Sequence, residues 1–333
     1  MSVFPGAAMR HRTGVTLIEV LVSIFIMGVG LLAILTLFPL GAYTMAQAVK
    51  DQRCAEAAAN ADAIAIYRDM RNDATLRTAL QNPGSGLPNL TTVRGALEGP
   101  SYPVYVDPIG WQASRTNKPL GRIPAGLTVP PTFSSPGVPR RNSGFTSNLN
   151  LAVRWCSLHD DMEFTEGGLP KRIGTEVQRE PQYTWAYLFR RPDASVQDIV
   201  DMTVVVYSGR PLQVVPDEDG ATYGPVAFQP DSNDIEVRWN PTRQQRPPVR
   251  KGGWVLDATV LRAANQPEPH GFFYRVVNVA DLPRDASGRD GVVLTLQTRP
   301  KKGTVAPDGT PYGVLTVMEY VAEVFEKAGD WKP

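Results

Sequence analysis

Two acidic segments contain the side chains best suited to hold a metal ion. Segment 159–163 (HDDME) could supply one imidazole and three carboxylates from five consecutive residues. Asp217 and Asp219 could hold calcium, although the ligand spacing of an EF-hand loop is absent around them. Because both segments also have the composition of exposed polar turns, we expect no metal and no other cofactor.

Motifs that carry catalytic chemistry are missing from the sequence. The strings G-x-S-x-G, H-E-x-x-H, C-x-x-C and the phosphate-binding P-loop do not occur. Residues 28–33 fit a dinucleotide-binding fingerprint as a string, but they lie in an apolar run with no strand before them. We therefore expect a protein that is not an enzyme.

The two cysteines, Cys54 and Cys156, are too few for a disulfide-rich scaffold or a four-thiolate zinc site. If the C-terminal part of the chain is exported, both meet an oxidising compartment, where they could pair and tie a helix to a sheet. Sequence spacing cannot show whether they lie close together, so a disulfide and two independent thiols both stay open.

A long apolar run near the N-terminus is the strongest topological signal. Residues 15–38 contain one ionisable side chain, Glu19, and as a helix they would extend ~36 Å, enough to cross a ~30 Å hydrocarbon layer. Basic residues precede this run at positions 10–12, and the next one is Lys50. The positive-inside rule therefore predicts a cytoplasmic N-terminus and an exported remainder.

Two other interpretations of the apolar run compete with a processed helix. A cleaved secretory signal would have a shorter apolar region and small residues at a cleavage site, and neither is evident. A plain signal anchor fits the length, but it gives no reason for the acid at Glu19, since a carboxylate is costly in a lipid-facing helix.

Residues 14–23, with the sequence GVTLIEVLVS, follow a basic leader and resemble the N-terminus of prepilins, the precursors of type IV pilins and type II secretion pseudopilins. The resemblance implies that a prepilin peptidase cuts between Gly14 and Val15. Val15 stands where phenylalanine is commonest, and it would be the new, N-methylated terminus. Initiation at Met9 instead of Met1 would shorten the leader and leave this logic intact.

The same resemblance implies how the subunit assembles. Glu19 of one subunit would pair with the new α-amine of a neighbour and fix the axial register, because neither charge suits an apolar environment alone. The implied partners are the prepilin peptidase, other pilin-like subunits, an inner-membrane assembly platform and membrane lipid. The 34 basic and 33 acidic residues nearly balance, which gives no reason to expect nucleic acid.

The elements that follow fit a long helix joined to a β-rich part. Pro39 is expected to kink one helix that covers residues 15–80, of which the stretch after Tyr43 is rich in alanine and has an apolar stripe. Residues 81–147 contain 11 Pro and 9 Gly and are expected to be irregular, with edge-strand pieces such as Tyr102–Val106.

Residues 148–333 are expected to form the exported head, because segments rich in Val, Tyr, Phe and Trp alternate with Gly/Pro turns. The predicted strands are Leu151–Ser157, Tyr183–Arg190, Asp201–Ser208, Ile235–Trp239, Trp254–Leu261, Phe272–Val279, Val292–Thr298 and Leu315–Val324. With residues 1–14 as the leader, the fold class is α+β: a long kinked N-terminal helix packed on an enlarged antiparallel β-rich head, in one sheet or two.

The sequence thus predicts a single-pass inner-membrane protein that is displayed outside the membrane or built into a filament, with the filament system left open. The alternative is a membrane-tethered periplasmic binding or enzymatic domain, for which Gly14 and Glu19 would be dispensable. A tip or adhesin-like subunit, whose head binds a surface or a substrate, is a third interpretation.

Overall fold

The computed structural model describes residues 14, 16–82, 84, 89–90, 99–114, 119–122, 137–142, 144–145, 148–173, 176–177, 181–193, 199–212, 222–228, 232–259, 269–301, 304–305 and 311–327. The chain divides into two compact units, Met1–Gln52 and Arg53–Pro333. One long helix contributes to both units, and all of the strands belong to the second.

Helix α1, Leu17–Tyr67, has 51 residues and changes character along its length. Every side chain from Thr16 to Gln52 is exposed, including all the large apolar ones. Its buried residues, which begin at Cys54, are small: Cys54, Ala57, Ala58, Ala61 and Ala65. Alanines at helical spacing let the helix backbone approach a neighbouring layer closely, which explains the alanine-rich second half.

The prediction of one helix through residue 80 is wrong, because the helix stops at Tyr67. Asp69 adopts a left-handed conformation with φ of 48°, and a 3₁₀ turn, Met70–Asn72, follows. The side chain of Asp73 then accepts a hydrogen bond of 2.9 Å from the Leu76 N–H and caps a new helix, α2, Ala74–Gln81. This break redirects the chain at the end of α1.

The first sheet has five strands: Val104–Val106 (β1), Arg140–Arg141 (β2), Tyr183–Arg190 (β5), Asp201–Ser208 (β6) and Val321–Lys327 (β14). Their order across the sheet is β14–β6–β5–β1–β2. Neighbouring strands are antiparallel except β1 and β2, which are parallel. β1 therefore lies inside the sheet, and the expectation that Tyr102–Val106 is an edge piece is wrong.

Both faces of the first sheet are covered, which explains why β5 is apolar on both sides. Trp185, Tyr187 and Phe189 belong to a core shared with the buried residues of α1, α2 and helix α4, Leu149–Trp155. The alternate residues Ala186 and Leu188 belong to a different core. A further helix, α3, spans Pro108–Ser114, and a small hairpin pairs Arg172–Ile173 (β3) with Glu176–Val177 (β4).

The second sheet closes on itself. It comprises Thr222–Phe228 (β7), Asp234–Trp239 (β8), Trp254–Asp257 (β9), Phe272–Leu282 (β10), Asp290–Leu296 (β11), Thr304–Val305 (β12) and Pro311–Met318 (β13). The ladder runs β13–β7–β8–β11–β10–β9, and β9 pairs again with β13. The result is an antiparallel six-stranded barrel with β12 beside the start of β13, and closure removes the open edges of these strands.

The barrel has its own core and also packs on the first sheet. Its interior is filled by side chains such as Ile235, Val276 and Leu294. On its outside, Leu256, Phe273 and Met318 share a core with residues of β5 and β6. The first sheet therefore lies between the helices on one face and the barrel on the other.

The α+β fold class is confirmed, and the two sheets are antiparallel as predicted apart from the parallel pair β1 and β2. Some local predictions need correction. Leu151–Ser157 was predicted as a strand, but its residues through Trp155 lie in α4, which begins after the cap at Asn148. Leu315–Val324 was predicted as one strand, but a turn at Tyr320, with φ of 63°, divides it between β13 and β14. The strand Thr222–Phe228 was not predicted.

Candidate processing and assembly site

Gly14 lies three residues before the start of α1 at Leu17 and is exposed. A methyl group added at its Cα would meet nothing within 4 Å, so the fold around Gly14 does not require a glycine. Val15 and residues 1–13 lie outside the described part of the chain. The predicted cut between Gly14 and Val15 and the predicted methylation of Val15 therefore stay predictions.

Glu19 folds back onto the residue that begins the helix. Its Oε2 accepts hydrogen bonds from the Thr16 backbone N–H, at 2.9 Å, and from Thr16 Oγ1, at 3.1 Å. The Thr16 carbonyl in turn accepts from the backbone N–H groups of Glu19 and Val20. This is one arm of a capping box, in which a glutamate at the third helical position satisfies a backbone N–H left without a helical partner.

The arrangement holds a carboxylate at the positive end of a helix and leaves it exposed. An ionised carboxylate has about four acceptor positions, so Glu19 can take a further donor without losing those from Thr16. Negative charge is also favoured in the first turn of a helix by the helix dipole. The sequence analysis did not single out Thr16, although the spacing T-x-x-E at residues 16–19 is a capping-box signature that could have identified it.

The exposed half of α1 satisfies its own polar groups. The hydroxyls of Ser23, Thr36 and Thr44 donate to the carbonyls of Glu19, Ala33 and Gly41, at 2.7, 2.8 and 2.9 Å. Internal satisfaction of this kind is what a helix needs in hydrocarbon, where water cannot serve as a partner.

Among the described residues, α1 is the one helix long and apolar enough to cross a membrane, with a mean hydropathy of 2.7 over an 18-residue window that is entirely exposed. Pro39 lies within α1, which continues on both sides of it. The bend predicted at Pro39 stays a prediction.

The other predicted site residues occupy different places. Cys54 and Cys156 are both buried, both belong to the core between the helices and the first sheet, and they do not form a disulfide bond in the structure. Burial raises the pKa of the Cys156 thiol well above its ordinary value, and the nearby Asp107 charge adds to the increase. Cys156 is therefore an unreactive thiol at neutral pH.

The acidic segment 159–163 is engaged by protein groups. Asp160 pairs with Arg53 of α1, and Glu163 pairs with Lys171 at 2.5 Å. Asp161 accepts a hydrogen bond of 3.1 Å from the Tyr183 N–H. No group of three or more metal-ligating side chains occurs in the described ranges. Asp217 and Asp219, the calcium candidates, lie outside those ranges.

The pKa values of two neighbouring acids in this segment are shifted in opposite directions. The hydrogen bond from Arg53 lowers the pKa of Asp160, whereas burial raises the pKa of its neighbour Asp161. The ion pair between Arg53 and Asp160 joins the first residues of α1 in the second unit to the loop after α4, which is a structural role.

A buried polar cluster that the sequence analysis missed lies at the end of β9. Asp257 accepts from His270 Nδ1 at 2.7 Å and from the Thr259 N–H at 3.1 Å. The Thr259 hydroxyl contacts Asp257 and also accepts from the Val314 N–H at 2.9 Å. The cluster thus joins the end of β9, the segment just before β10, and β13, and it satisfies buried groups where the barrel closes.

Comparison with known proteins identifies a family motif at the N-terminus and no relative for the rest of the chain. Residues 9–35 match the family model of the prokaryotic N-terminal methylation motif, the signature of prepilin-type pilins and pseudopilins. No curated protein and no solved structure matches the chain significantly. The match covers the residues just before α1 and the apolar start of α1, while the first sheet and the barrel lie outside it.

Proposed function

Because this chain carries the signature of prepilin-type pilins and pseudopilins, we propose that it is a structural subunit of a type IV pilus or a type II secretion pseudopilus. A prepilin peptidase cuts it between Gly14 and Val15, and Val15 is then N-methylated. The observation that carries the proposal is the methylation motif at residues 9–35, joined directly to an exposed apolar helix.

Helix α1 has two successive roles, first as a membrane anchor and then as a packing surface between subunits. Its apolar residues first hold the subunit in the inner membrane with the N-terminus in the cytoplasm and the head outside. They then pack against the same helices of other pilin-like subunits, with the help of an inner-membrane assembly platform. The full exposure of residues 16–52 supports this role, since a helix with that composition needs lipid or other helices around it.

Glu19 sets the axial register between subunits. Cutting at Gly14 creates an α-amine that is largely protonated near neutral pH. The Glu19 carboxylate, already oriented by Thr16, has acceptor positions left for the amine of a neighbouring subunit. The pair lowers the cost of holding either charge in an apolar environment, and it forms at one axial offset only.

The direct test is the identity of the mature N-terminus. The full chain is expressed in membranes with and without a prepilin peptidase, and its intact mass and N-terminal peptides are measured. We expect an N-terminus at Val15, with an added methyl group, only when the peptidase is present. In Gly14→Ala we expect the cut to be lost, although the added methyl group meets open space in the fold.

The matched control is Gly30→Ala, which adds the same methyl group at another glycine where nothing lies within 4 Å. This variant should be cut like the wild type. A wild-type chain that stays uncut in a peptidase-competent cell would contradict the proposal.

A tethered binding domain is the second candidate function, and one observation favours it. A cleft of about 310 Å³ between the first sheet and the barrel is lined by charged, polar and aromatic side chains. If α1 is a plain anchor, Gly14→Ala and Glu19→Ala should both leave the membrane location and the N-terminus of the protein unchanged. A cut at Val15 excludes the plain anchor, whatever the cleft binds.

A further inference from the structure

The cleft lies where the first sheet meets the start of β10. Its floor is formed by the ends of β5, β6 and β14, and its wall is formed by residues 271–273 of the barrel. Its volume of about 310 Å³ is at the lower end of the range for ligand sites, and it lies between the first sheet and the barrel. A ligand of that volume has the size of one or two amino acids.

Charges of both signs line the floor. Arg190 and Asp201 are cross-strand partners on β5 and β6, and Arg190 Nη2 donates to Asp201 Oδ2 at 3.3 Å. Glu326 stands opposite Thr203 in the ladder of β14 and β6. The side chains of Asp201 and Glu326 reach solvent, so both carboxylates can meet a ligand.

Phe272 carries two cations on its ring. The Arg190 guanidinium carbon lies 3.7 Å from the ring centroid, and the Lys301 ammonium nitrogen lies 4.4 Å from it. Both distances are within the range of cation–π attraction. The ring therefore holds two positive charges beside the cleft, and they are balanced by the two carboxylates of Asp201 and Glu326.

The environment of Arg190 favours an incoming anion. Burial lowers the pKa of this guanidinium, and the opposing effect of Asp201 is smaller. A desolvated cation with one long hydrogen bond to its carboxylate gains from a second anionic acceptor, and bidentate carboxylate binding is the geometry that a guanidinium prefers. Lys327 also lines the cleft, but its ammonium nitrogen is already paired with Asp62 of α1, whose Oδ2 lies 3.9 Å away.

We propose that the cleft binds a small zwitterion, an amino acid or a short peptide with free termini. Arg190 and Lys301 receive its carboxylate, and Asp201 and Glu326 receive its ammonium group. Leu188 and Phe272 contact an apolar side chain of the ligand.

Other ligand classes fit less well. A polyanion such as nucleic acid would meet two carboxylates in the cleft, and those would repel it. A bare metal ion would meet the Arg190 charge, and the described residues hold no group of three metal-ligating side chains. A neutral apolar ligand would leave the charged side chains of Arg190, Asp201 and Glu326 in the cleft without new partners.

The test uses the full chain in detergent micelles, with ligand-observed NMR and calorimetry. The probes are leucine, the dipeptide Leu-Leu, N-acetyl-leucine and leucine amide, all of which have the apolar side chain. Leucine and Leu-Leu are zwitterions, N-acetyl-leucine lacks the ammonium charge, and leucine amide lacks the carboxylate charge. We expect the two zwitterions to bind at least tenfold more tightly than the two blocked forms, because each blocked form loses one charge-assisted contact. Comparison of leucine with Leu-Leu separates a free amino acid from a peptide as the ligand.

Two variants separate the two ends of the site. Glu326→Gln changes an exposed side chain. It should weaken the binding of leucine about tenfold and leave the binding of N-acetyl-leucine unchanged. Arg190→Gln should weaken the binding of leucine about tenfold and leave the binding of leucine amide unchanged. The matched control is Arg284→Gln, which also removes an arginine paired with an aspartate, Asp290, but outside the cleft. It should not change binding.

Equal affinity for all four probes, or no binding of either zwitterion at millimolar concentration, would overturn the proposal. If Arg190→Gln does not fold, the Glu326→Gln result and the probe series decide the question. The outcome is independent of the cut at Gly14, so failure here leaves the filament proposal standing.

Discussion

Arg210 holds Asp107 in a two-point ion pair, with Nη1 2.9 Å from Oδ1 and Nη2 2.7 Å from Oδ2, and both side chains are buried. Asp107 follows β1 and Arg210 follows β6, so the pair joins two strand ends on either side of β5. Asp107 Oδ1 also accepts from the Gly110 N–H at 2.9 Å and caps α3, and Arg140 Nε lies 3.9 Å from Oδ2. The Asp107 carboxylate thus links the ends of β1 and β6 with the start of β2 and with helix α3.

Replacing this carboxylate should be severely destabilising. In Asp107→Asn the charges of Arg210 and Arg140 stay buried without their counter-ion, and breaking a buried pair in this way typically costs about 3–5 kcal/mol. We expect a loss of this size in the free energy of unfolding of the head, measured by urea denaturation of the detergent-solubilised chain.

The control for this change is Asp281→Asn, which removes the partner of Arg246 where both side chains are more than 60% exposed. An exposed pair contributes at most about 1 kcal/mol, so this variant should differ little from the wild type. Equal losses in the two variants would show that the Asp107 pair has no special weight.

The same carboxylate should shape the response to acid. Burial raises the pKa of Asp107, but the charges of Arg210 and Arg140 outweigh burial and bring the pKa below its ordinary value of 3.8. Its contribution to stability is therefore fully present above about pH 4 and is lost as the pH falls through the lower, folded-state value. Urea midpoints measured from pH 6 to pH 2.5 should fall more steeply for the wild type than for Asp107→Asn. Parallel curves would contradict this prediction.

Gly110 should be required by this ion pair. A Cβ at Gly110 would overlap Asp107 Oδ2 and would lie 2.7 Å from Arg210 Nη2. Because the pair locks these atoms, Gly110→Ala should cost about 1–3 kcal/mol, the usual penalty of overpacking. The comparison is Gly167→Ala, where the nearest atom is Thr165 Oγ1 at 3.9 Å. Thermal unfolding should separate the two variants clearly, and equal midpoints would mean that the pair adjusts without cost.

The sequence predicts the local elements of this fold well, because their signals are local. The apolar run at residues 15–38 specifies the exposed half of α1. Strands β5 and β6 agree with the predicted bounds residue for residue, since β-branched and aromatic side chains fill both segments. The Gly14 to Glu19 string, matched by the methylation-motif model, likewise depends on a short stretch of chain.

Features that depend on distant residues could not be predicted in this way. Barrel closure rests on the pairing of β9 with β13, which are separated by more than fifty residues. Asp107 and Arg210 are 103 residues apart, and neither stands in a recognisable motif. The cleft likewise depends on residues far apart in the sequence, because it brings the ends of β5, β6 and β14 next to the start of β10. The helix α4 was mistaken for a strand because seven residues are too few for a 3.6-residue period to stand out.

The two cysteines should react as buried thiols that are not joined by a disulfide. Burial keeps the pKa of Cys156 high, so little thiolate exists near neutral pH, and Cys54 is only 1% exposed. We expect iodoacetamide at pH 8 to label neither thiol in the native protein and both after denaturation. A non-reduced intact mass lower by two hydrogens would instead show that Cys54 and Cys156 form a disulfide in the exported protein.

Glu19→Gln should separate the two roles of this side chain. A glutamine can still accept the hydrogen bonds from Thr16 N–H and Oγ1, because its side-chain oxygen has two acceptor positions. It cannot neutralise the α-amine of a neighbouring subunit. If register depends on that charge pair, Glu19→Gln should be cut normally at Gly14 and be recovered in sheared filaments at least tenfold less than the wild type. Asp51→Asn, an acid-to-amide change at an exposed position on the same helix, should be incorporated normally. Normal incorporation of Glu19→Gln would instead assign Glu19 to the helix cap alone.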